Sequence, residues 1–498
     1  MIKKDTIFVG GGFLNQQYPY LLPILFKYCE INKIKNIIFE TLPDNIFFEQ
    51  KYFKTNLKKY NLINFKDILP IFFKNKYLRF FLFFPIAFFL AIKVNRSEIL
   101  KHQKNFFKLN LYHALWDTTL NISSSYIKPK FIYKLFSSIK CLDSIFLSKL
   151  IKKKNIKAVF LNHSCYFYRA MLAEFRKDKN IELFGQADFN IHRHESRIDR
   201  NPTMLEKKYV NFLKKNINFS EINSYWTKRV NGKSVYESAN DALTNIKKKH
   251  KLSVPENILM LHVFKDSSYG YLDKKRIFVD YADWLLFTLK EIARSKQTWG
   301  IKFHPIAKRW GEDTIGIFNS FIDQLFHGKV PKNFILISDE FSNYELFKKC
   351  KKLVTFWGTC HIEAACFGLK PIIIRETQLS YYDKNLVRKP KNLKEYKNFL
   401  TDNVKFSVMT KKQIQTSKLL IYLREKILNF VKDAGQHAIT RGDDIKYINK
   451  NLIKTTLGIN KYKSFLEANG KIISSQFTHT VTKKYTKIIL EKYNDKNR

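Results

Sequence analysis

The chain has 498 residues, of which 45% are hydrophobic and 15% aromatic; this excludes a disordered chain and predicts two or three domains. Lys+Arg number 89 against Asp+Glu 43, a formal net charge of +46, which points to a polyanionic partner (nucleic acid, an anionic membrane face or a phosphate-bearing substrate) or, for part of the excess, to a compositional drift toward lysine. The charge is spread along the chain, which argues against a nucleic-acid module, and six cysteines without a CxxC pair exclude a disulfide framework and fit a reducing compartment.

The opening "MIKKDTIFVGGGF" has an apolar run of about four residues, where a secretion signal needs roughly seven to fifteen. "DTIFVGGGF" predicts a strand running into a glycine-rich turn. Gly11 there allows close approach of a ligand or of another chain segment. The three glycines lack the spacing of a dinucleotide fingerprint. "NQQYPYLLPILFKYCEINK" predicts a helix confined by Pro19 and Pro23, and "IKNIIFE" a second strand, which makes a βαβ unit.

A helical insertion is expected at about 45–150. It contains "YLRFFLFFPIAFFLAIK", residues 77–93. The uninterrupted apolar part, Phe80 to Ile92, is shorter than the roughly 20 residues of a spanning helix and holds Pro85. Lys74, Lys76, Arg79, Lys93 and Arg96 flank it. Two readings stay open: a helix lying in a membrane interface, and a helix buried against the core.

"IKAVFLNH" and "IELFGQ" predict two further strands with a helix between them, completing an acceptor-side domain over residues 1–245. Asn162, His163 and Ser164 follow the first strand. Gln186, Asp188, His192 and His194 are expected after the second. A transfer reaction needs a general base on the acceptor hydroxyl, and His163, Asp188 and Glu174 are the available types. His192 and His194 with Glu195 lack a third metal ligand at recognisable spacing, so no metal is expected.

"KKKHKLSVPEN" reads as a linker. Beyond it "NILMLHVF", "TWGIKFH", "NFILIS", "KLVTF" and "PIIIRE" alternate with helical segments. The runs are apolar without alternation, as in parallel strands covered on both faces. A second domain is expected over 246–405 and a helical, basic C-terminal region over 406–498. Two doubly wound halves place a ligand at the carboxyl ends of strands.

Three stretches carry candidate chemistry. In "WGIKFHPIAKRW" a strand stops at His304, and Pro305 holds the histidine in an extended pose. Its imidazole N–H is a donor for a phosphate oxygen, with Lys302, Lys308 and Arg309 to balance charge; the alternative is a plain strand end. In "KLVTFWGTCHIEAACFGLKPIII" Gly358 and Thr359 open a helix, which suits an anion. Glu363, one turn in, can accept from ribose hydroxyls. The alternative is that Thr359 caps the helix and Glu363 complements its dipole. In "ENILMLHVFKDSSYGYLD" His262 reads as a strand residue, with Asp266 and Ser267 at the strand end to contact donor or acceptor hydroxyls, or to form an Asx-turn.

The second half resembles the bacterial capsule and surface-polysaccharide glycosyltransferases with an HP motif, the Kdo-transferase-like and sialyltransferase-like families. "HVFKDSSYG", "DYADWLLFTLKEI", "WGIKFHP" and "VTFWGTCHIEAACFGLKPIII" carry the resemblance, over about residues 255–375. The resemblance implies an α/β, GT-B-like architecture of two Rossmann-like domains, with the nucleotide-sugar donor in the C-terminal one. It further implies His304 on the donor phosphate, Gly358, Thr359 and Glu363 around the nucleotide, and no metal or other cofactor. The acidic motif of the sialyltransferases is not evident in the first half, which leaves the base open.

The expected activity is transfer of a sugar from a nucleotide donor, CMP-linked among the candidates, to a polysaccharide or lipid-linked acceptor. It would take place at the cytoplasmic face of the membrane, with the protein held there peripherally. A CDP-linked polyol-phosphate transferase and a nucleotide-sugar epimerase are the alternatives.

Overall fold

A computed structural model gives the fold. It describes residues 5–10, 22–43 apart from 23, 24, 27 and 31, 51–101, 106–123, 126–161, 165–187, 190–193, 211, 214, 218–232, 254–265, 277–305, 307, 311–338, 341–356, 358–375, 377–401 and 408–423. The fold is α/β and holds two Rossmann-like sheets with helices about them.

The first sheet is built from β1 (Thr6–Gly10), β2 (Asn36–Phe39), β3 (Asn61–Asn64), β4 (Ile156–Leu161), β5 (Glu182–Ala187) and β6 (Asn190–Arg193), in the order β3-β2-β1-β4-β5-β6. The pairs β1–β2, β2–β3, β1–β4 and β4–β5 are parallel, and β6 returns antiparallel to β5. The second sheet has β7 (Asn257–Met260), β8 (Trp299–Lys302), β9 (Phe334–Ile337), β10 (Lys352–Thr355) and β11 (Ile372–Ile373), all parallel, in the order β11-β10-β7-β8-β9. The central strands are buried along their length, for example Ile258, Leu259, Ile301, Leu353 and Val354. That burial on both faces is why their runs show no alternation.

Two strands differ from the sequence expectation. β3 lies inside the segment expected to be helical. Gln186 belongs to β5 and His192 to β6 rather than to a loop after β5. Both unexpected strands, "NLIN" and "NIHR", are four residues long and sit at the sheet's edges. An edge strand has one neighbour and needs little apolar content, so its sequence looks like a loop.

The halves are joined by packing. One hydrophobic cluster runs from Ile7, Phe39 and Phe160 of the first sheet to Ile362 and Ala365 of the Cys360–Cys366 helix and Ile373 of the second sheet. Ile222 and Trp226 of the Phe219–Val230 helix belong to it, as do Leu420 and Tyr422 of the Lys411–Tyr422 helix. The first part of the basic C-terminal region is therefore core.

The inserted helices lean on the second half. Asp280, buried at the start of the Tyr281–Arg294 helix, accepts from Asp283 N at 2.7 Å as the helix cap. The same carboxylate accepts from Arg96 Nε at 2.6 Å and Trp116 Nε1 at 2.7 Å. Asp280→Ala is expected to cost about 2–3 kcal/mol, because it removes a cap and strips the buried Trp116 and the half-buried Arg96 of their acceptor. Asp280→Asn should lose less. Urea denaturation checks this; a loss under about 0.5 kcal/mol, the level of a neutral surface change, would show that Asp280 does not tie the insertion down.

Candidate functional site

From β7 the chain moves outward through β8 to β9, then crosses back to β10 and β11 on the other side. β7 and β10 are thus the pair at which the winding reverses, and the carboxyl ends there form the crevice of a doubly wound sheet. Four of the sequence-predicted residues come together at that edge: Lys302, His304, Gly358 and Thr359.

His304 lies two residues beyond β8, and His262 two residues beyond β7. The register pairs Met260 with Lys302, and Leu261 N donates to Lys302 O at 2.9 Å. The two histidines are therefore neighbours, with ring centroids 5.2 Å apart and planes at 56°. The sequence reading placed His262 in the strand and missed the pair. A signal was present, because "ILMLH" and "GIKFH" each end a strand-like run on a histidine.

His262 is fixed from several sides. Its backbone N–H donates to Tyr281 Oη at 2.8 Å, and Nδ1 lies 3.0 Å from Val263 O. A carbonyl only accepts, so Nδ1 carries the proton of that contact. His304 is half-buried. Burial, then the adjacent His262 and Lys302, push its pKa down from 6.5 to about 3. At neutral pH its imidazole is uncharged.

Lys302, the last residue of β8, is buried, and its Nζ donates to Ser338 O at 2.7 Å. It ties the end of β8 to the end of β9 and keeps a positive charge behind His304.

Gly358 has φ +113°, and a Cβ there would lie 3.4 Å from His262 Cδ2. Space is adequate but the backbone conformation is one that L side chains avoid, so glycine is required for conformation. The turn is clasped by His361, whose Nδ1 meets Gly358 O. Thr359 is at the cap position of the Cys360–Cys366 helix, yet its side chain makes no capping bond.

Glu363 is buried, and Oε1 accepts from Arg229 Nη2 at 2.5 Å. Arg229, itself buried, comes from the Phe219–Val230 helix of the first half. The carboxylate expected at a ribose is thus part of a seam between the halves. Arg229 gave no signal in the sequence, because its partner is 134 positions away.

Gly11, His163, Asp188, Asp266 and Ser267 lie outside the described residues, as do Asn162, Ser164, His194, Glu195, Lys308 and Arg309. The backbone leading to Asp266 is held on both sides. Glu312, from the loop after β8, accepts from Phe264 N at 2.9 Å and Lys265 N at 2.8 Å. Lys265 O accepts from Asn121 Nδ2 at 2.9 Å and Tyr166 Oη at 2.8 Å. Asn121 belongs to the Phe106–Ile122 helix and Tyr166 opens the Tyr166–Phe175 helix. Tyr166 has φ +53°, a left-handed conformation that bulky residues rarely hold. A small cavity bordered by Asp117, Tyr126, Tyr166 and Lys265 lies at this junction.

Glu174 is placed elsewhere. It is buried near the end of the Tyr166–Phe175 helix, with Lys152 Nζ at 2.7 Å and Lys177 Nζ at 2.6 Å. Burial acts to raise its pKa, but the hydrogen bonds and charges of the two lysines hold it below the ordinary value. Lys152 lies four residues before β4 begins, so Glu174 sits at the amino edge of that sheet. A carboxylate stabilised there, away from the crevice, is not a general base for chemistry at the carboxyl edge.

A scan against protein-family models finds no match, and a search of curated proteins finds no significant one. Among solved structures, the chain is similar to Anabaena HepE in complex with UDP-glucose, at 10% identity and TM-score 0.30, covering 86% of this chain and 98% of that one. It is similar to a glycosyltransferase from Rickettsia africae at 10% identity and TM-score 0.24, over 96% of this chain and 100% of that one. A third similar structure is the UDP-GlcNAc 2-epimerase of Methanocaldococcus jannaschii, at 13% identity and TM-score 0.21, over 84% and 98%. None of the three scores is high enough to carry chemistry over to this chain.

Proposed function

We propose that the protein is a glycosyltransferase that takes a sugar from a nucleotide-activated donor and attaches it to a cell-surface polysaccharide or a lipid-linked glycan. The observation that supports this best is the pair His262 and His304 beside Gly358, at the carboxyl ends of β7, β8 and β10.

In this reading the donor phosphate lies against the pair. His304 donates its N–H to a phosphate oxygen, and His262 holds the neighbouring position. Gly358 lets the phosphate approach the backbone, Thr359 offers a hydroxyl, and the Lys302 charge stands behind. The bond between the sugar's anomeric carbon and the phosphate oxygen breaks, and the bond to the acceptor oxygen forms. Negative charge grows on the leaving phosphate, and fixed donors aimed at it lower the barrier. The acceptor proton passes to a first-half base, His163 or Asp188. Asp266, Ser267 and Gly11 contact the sugar or acceptor. Glu363, held by Arg229, shapes the wall beside the ribose.

The test is thermal stabilisation by CMP, CDP, UDP and GDP at moderate salt, with inorganic pyrophosphate as the control anion. One nucleotide at about 100 times its Kd should stabilise by about 2.7 kcal/mol, well beyond pyrophosphate. Equal shifts for all five ligands would mean a basic protein that takes any phosphate, and would overturn the reading. With the sugar donor alone, release of an isomerised sugar would instead assign an epimerase.

A further inference from the structure

The Lys76–Lys93 helix buries only a narrow stripe. Ala87 and Ala91 are fully buried, and with Phe80 they pack on Leu135 and Ile139 of the Phe131–Lys152 helix. Most of the rest of its surface is apolar and open: Phe81 is 69% exposed, Phe89 65% and Ile92 56%. The patch continues across the neighbouring helix, where Phe88 meets Phe131 at 5.4 Å and Phe80 meets Phe136 at 6.1 Å between ring centroids. Thirteen of the eighteen exposed large hydrophobics among the described residues lie between Ile71 and Phe136, so this is one face and not scatter. A helix apolar on nearly all sides is one that something covers.

The chemistry of the face points to its occupant. From Phe80 to Ile92 no side chain can form a hydrogen bond. Protein interfaces mix Tyr, Trp and Arg into their centres; hydrocarbon asks for none of them. The rim is cationic: Lys74, Lys76 and Lys93 at the ends of the helix, and Lys128 and Lys130 ahead of Phe131, are all exposed. Arg79 and Arg96 are engaged inward, with Asp143 and Asp280. Pro85 leaves the Phe81 carbonyl without its helical N–H, a group that water and headgroups can satisfy at the membrane surface. No described helix is long and apolar enough to cross a membrane.

We propose that this face seats the protein on the surface of an anionic lipid bilayer. The Lys76–Lys93 helix lies in the plane of the headgroup–acyl boundary and the lysines meet the lipid phosphates. The inference goes beyond the transferase reading and is tested without a nucleotide, so either can fail alone.

The experiment is flotation of the full chain with vesicles of phosphatidylcholine, with and without phosphatidylglycerol. The wild type is expected to float with the anionic vesicles, and less with the neutral ones. Phe81→Gln combined with Phe89→Gln should cut the bound fraction at least about tenfold, since each ring removes a large apolar contribution, while leaving the melting temperature unchanged because both are exposed. Lys74→Gln with Lys93→Gln should weaken anionic binding and flatten its salt dependence. The proposal is overturned if the wild type floats with neither vesicle, or if the phenylalanine variant floats as well as the wild type. It is equally overturned if the phenylalanine variant converts a vesicle-indifferent dimer to monomer, which assigns the face to a second copy.

Discussion

His304→Ala is expected to weaken nucleotide binding about 10- to 100-fold, the range of a hydrogen bond to a charged group, and to slow transfer by about 100- to 1000-fold. The two losses differ because the charge on the phosphate grows in the transition state. The pH dependence separates this role from simple packing. In the free protein His304 is held uncharged, with its pKa near 3. A phosphate beside it favours the protonated ring and raises that value. Binding is therefore linked to proton uptake between the free and the raised value, and affinity should rise as pH falls through the raised value. His304→Asn keeps an N–H without the titration, so it should retain part of the binding and lose this pH contribution. The difference between wild type and variant cancels any titration of the ligand itself. Isothermal titration in buffers of different ionisation enthalpy reads the proton directly. Wild-type affinity in His304→Ala would remove the histidine from the site.

The same shift has a consequence for stability. The folded pKa lies below the ordinary 6.5. The unfolded chain thus binds more protons between the two values, so stability contributed by the uncharged ring is present above about 6.5 and is lost as pH falls toward 3. His304→Asn should flatten that limb of the acid-denaturation curve.

Arg229→Leu is expected to be the most destabilising single change, at about 3–5 kcal/mol. Arg229 and Glu363 are 1% and 2% exposed at the side chain. Removing the guanidinium leaves a carboxylate buried without its cation, and that desolvation penalty exceeds the packing lost. The double variant Arg229→Leu, Glu363→Leu should recover most of the loss, because two apolar groups carry no such penalty. The pair joins the Phe219–Val230 helix to the helix that begins behind Gly358, so the single variant should also reduce stabilisation by nucleotide. Denaturation of the four members of the cycle gives the answer. A single variant within about 1 kcal/mol of wild type, or a double variant no better than the single, would contradict the account of the seam.

Much of the architecture was legible in the sequence. The apolar runs "IKAVFL", "NILM", "WGIK", "FILI" and "KLVT" are strands because each spans only a few residues, is rich in Ile, Leu, Val and Phe, and is bounded by charged or turn-forming residues. Such signals are local: a strand or a turn is specified over about ten residues or fewer. His304, Lys302, Gly358 and Thr359 could be singled out because each stands at the end of such a run, where a doubly wound sheet presents its ligand groups.

Only the tertiary structure decided the rest. Whether "FFLFFPIAFFLAI" is core or surface depends on what packs on it, and its neighbour fully buries only Ala87 and Ala91. His262 became part of the site through the register of β7 against β8. Glu363 acquired Arg229, and Asp280 acquired Arg96 and Trp116, from segments far away in sequence. These contacts are set by how helices and sheets pack, where side chains meet across the fold instead of along the chain, and no periodicity in the sequence encodes who the partner will be.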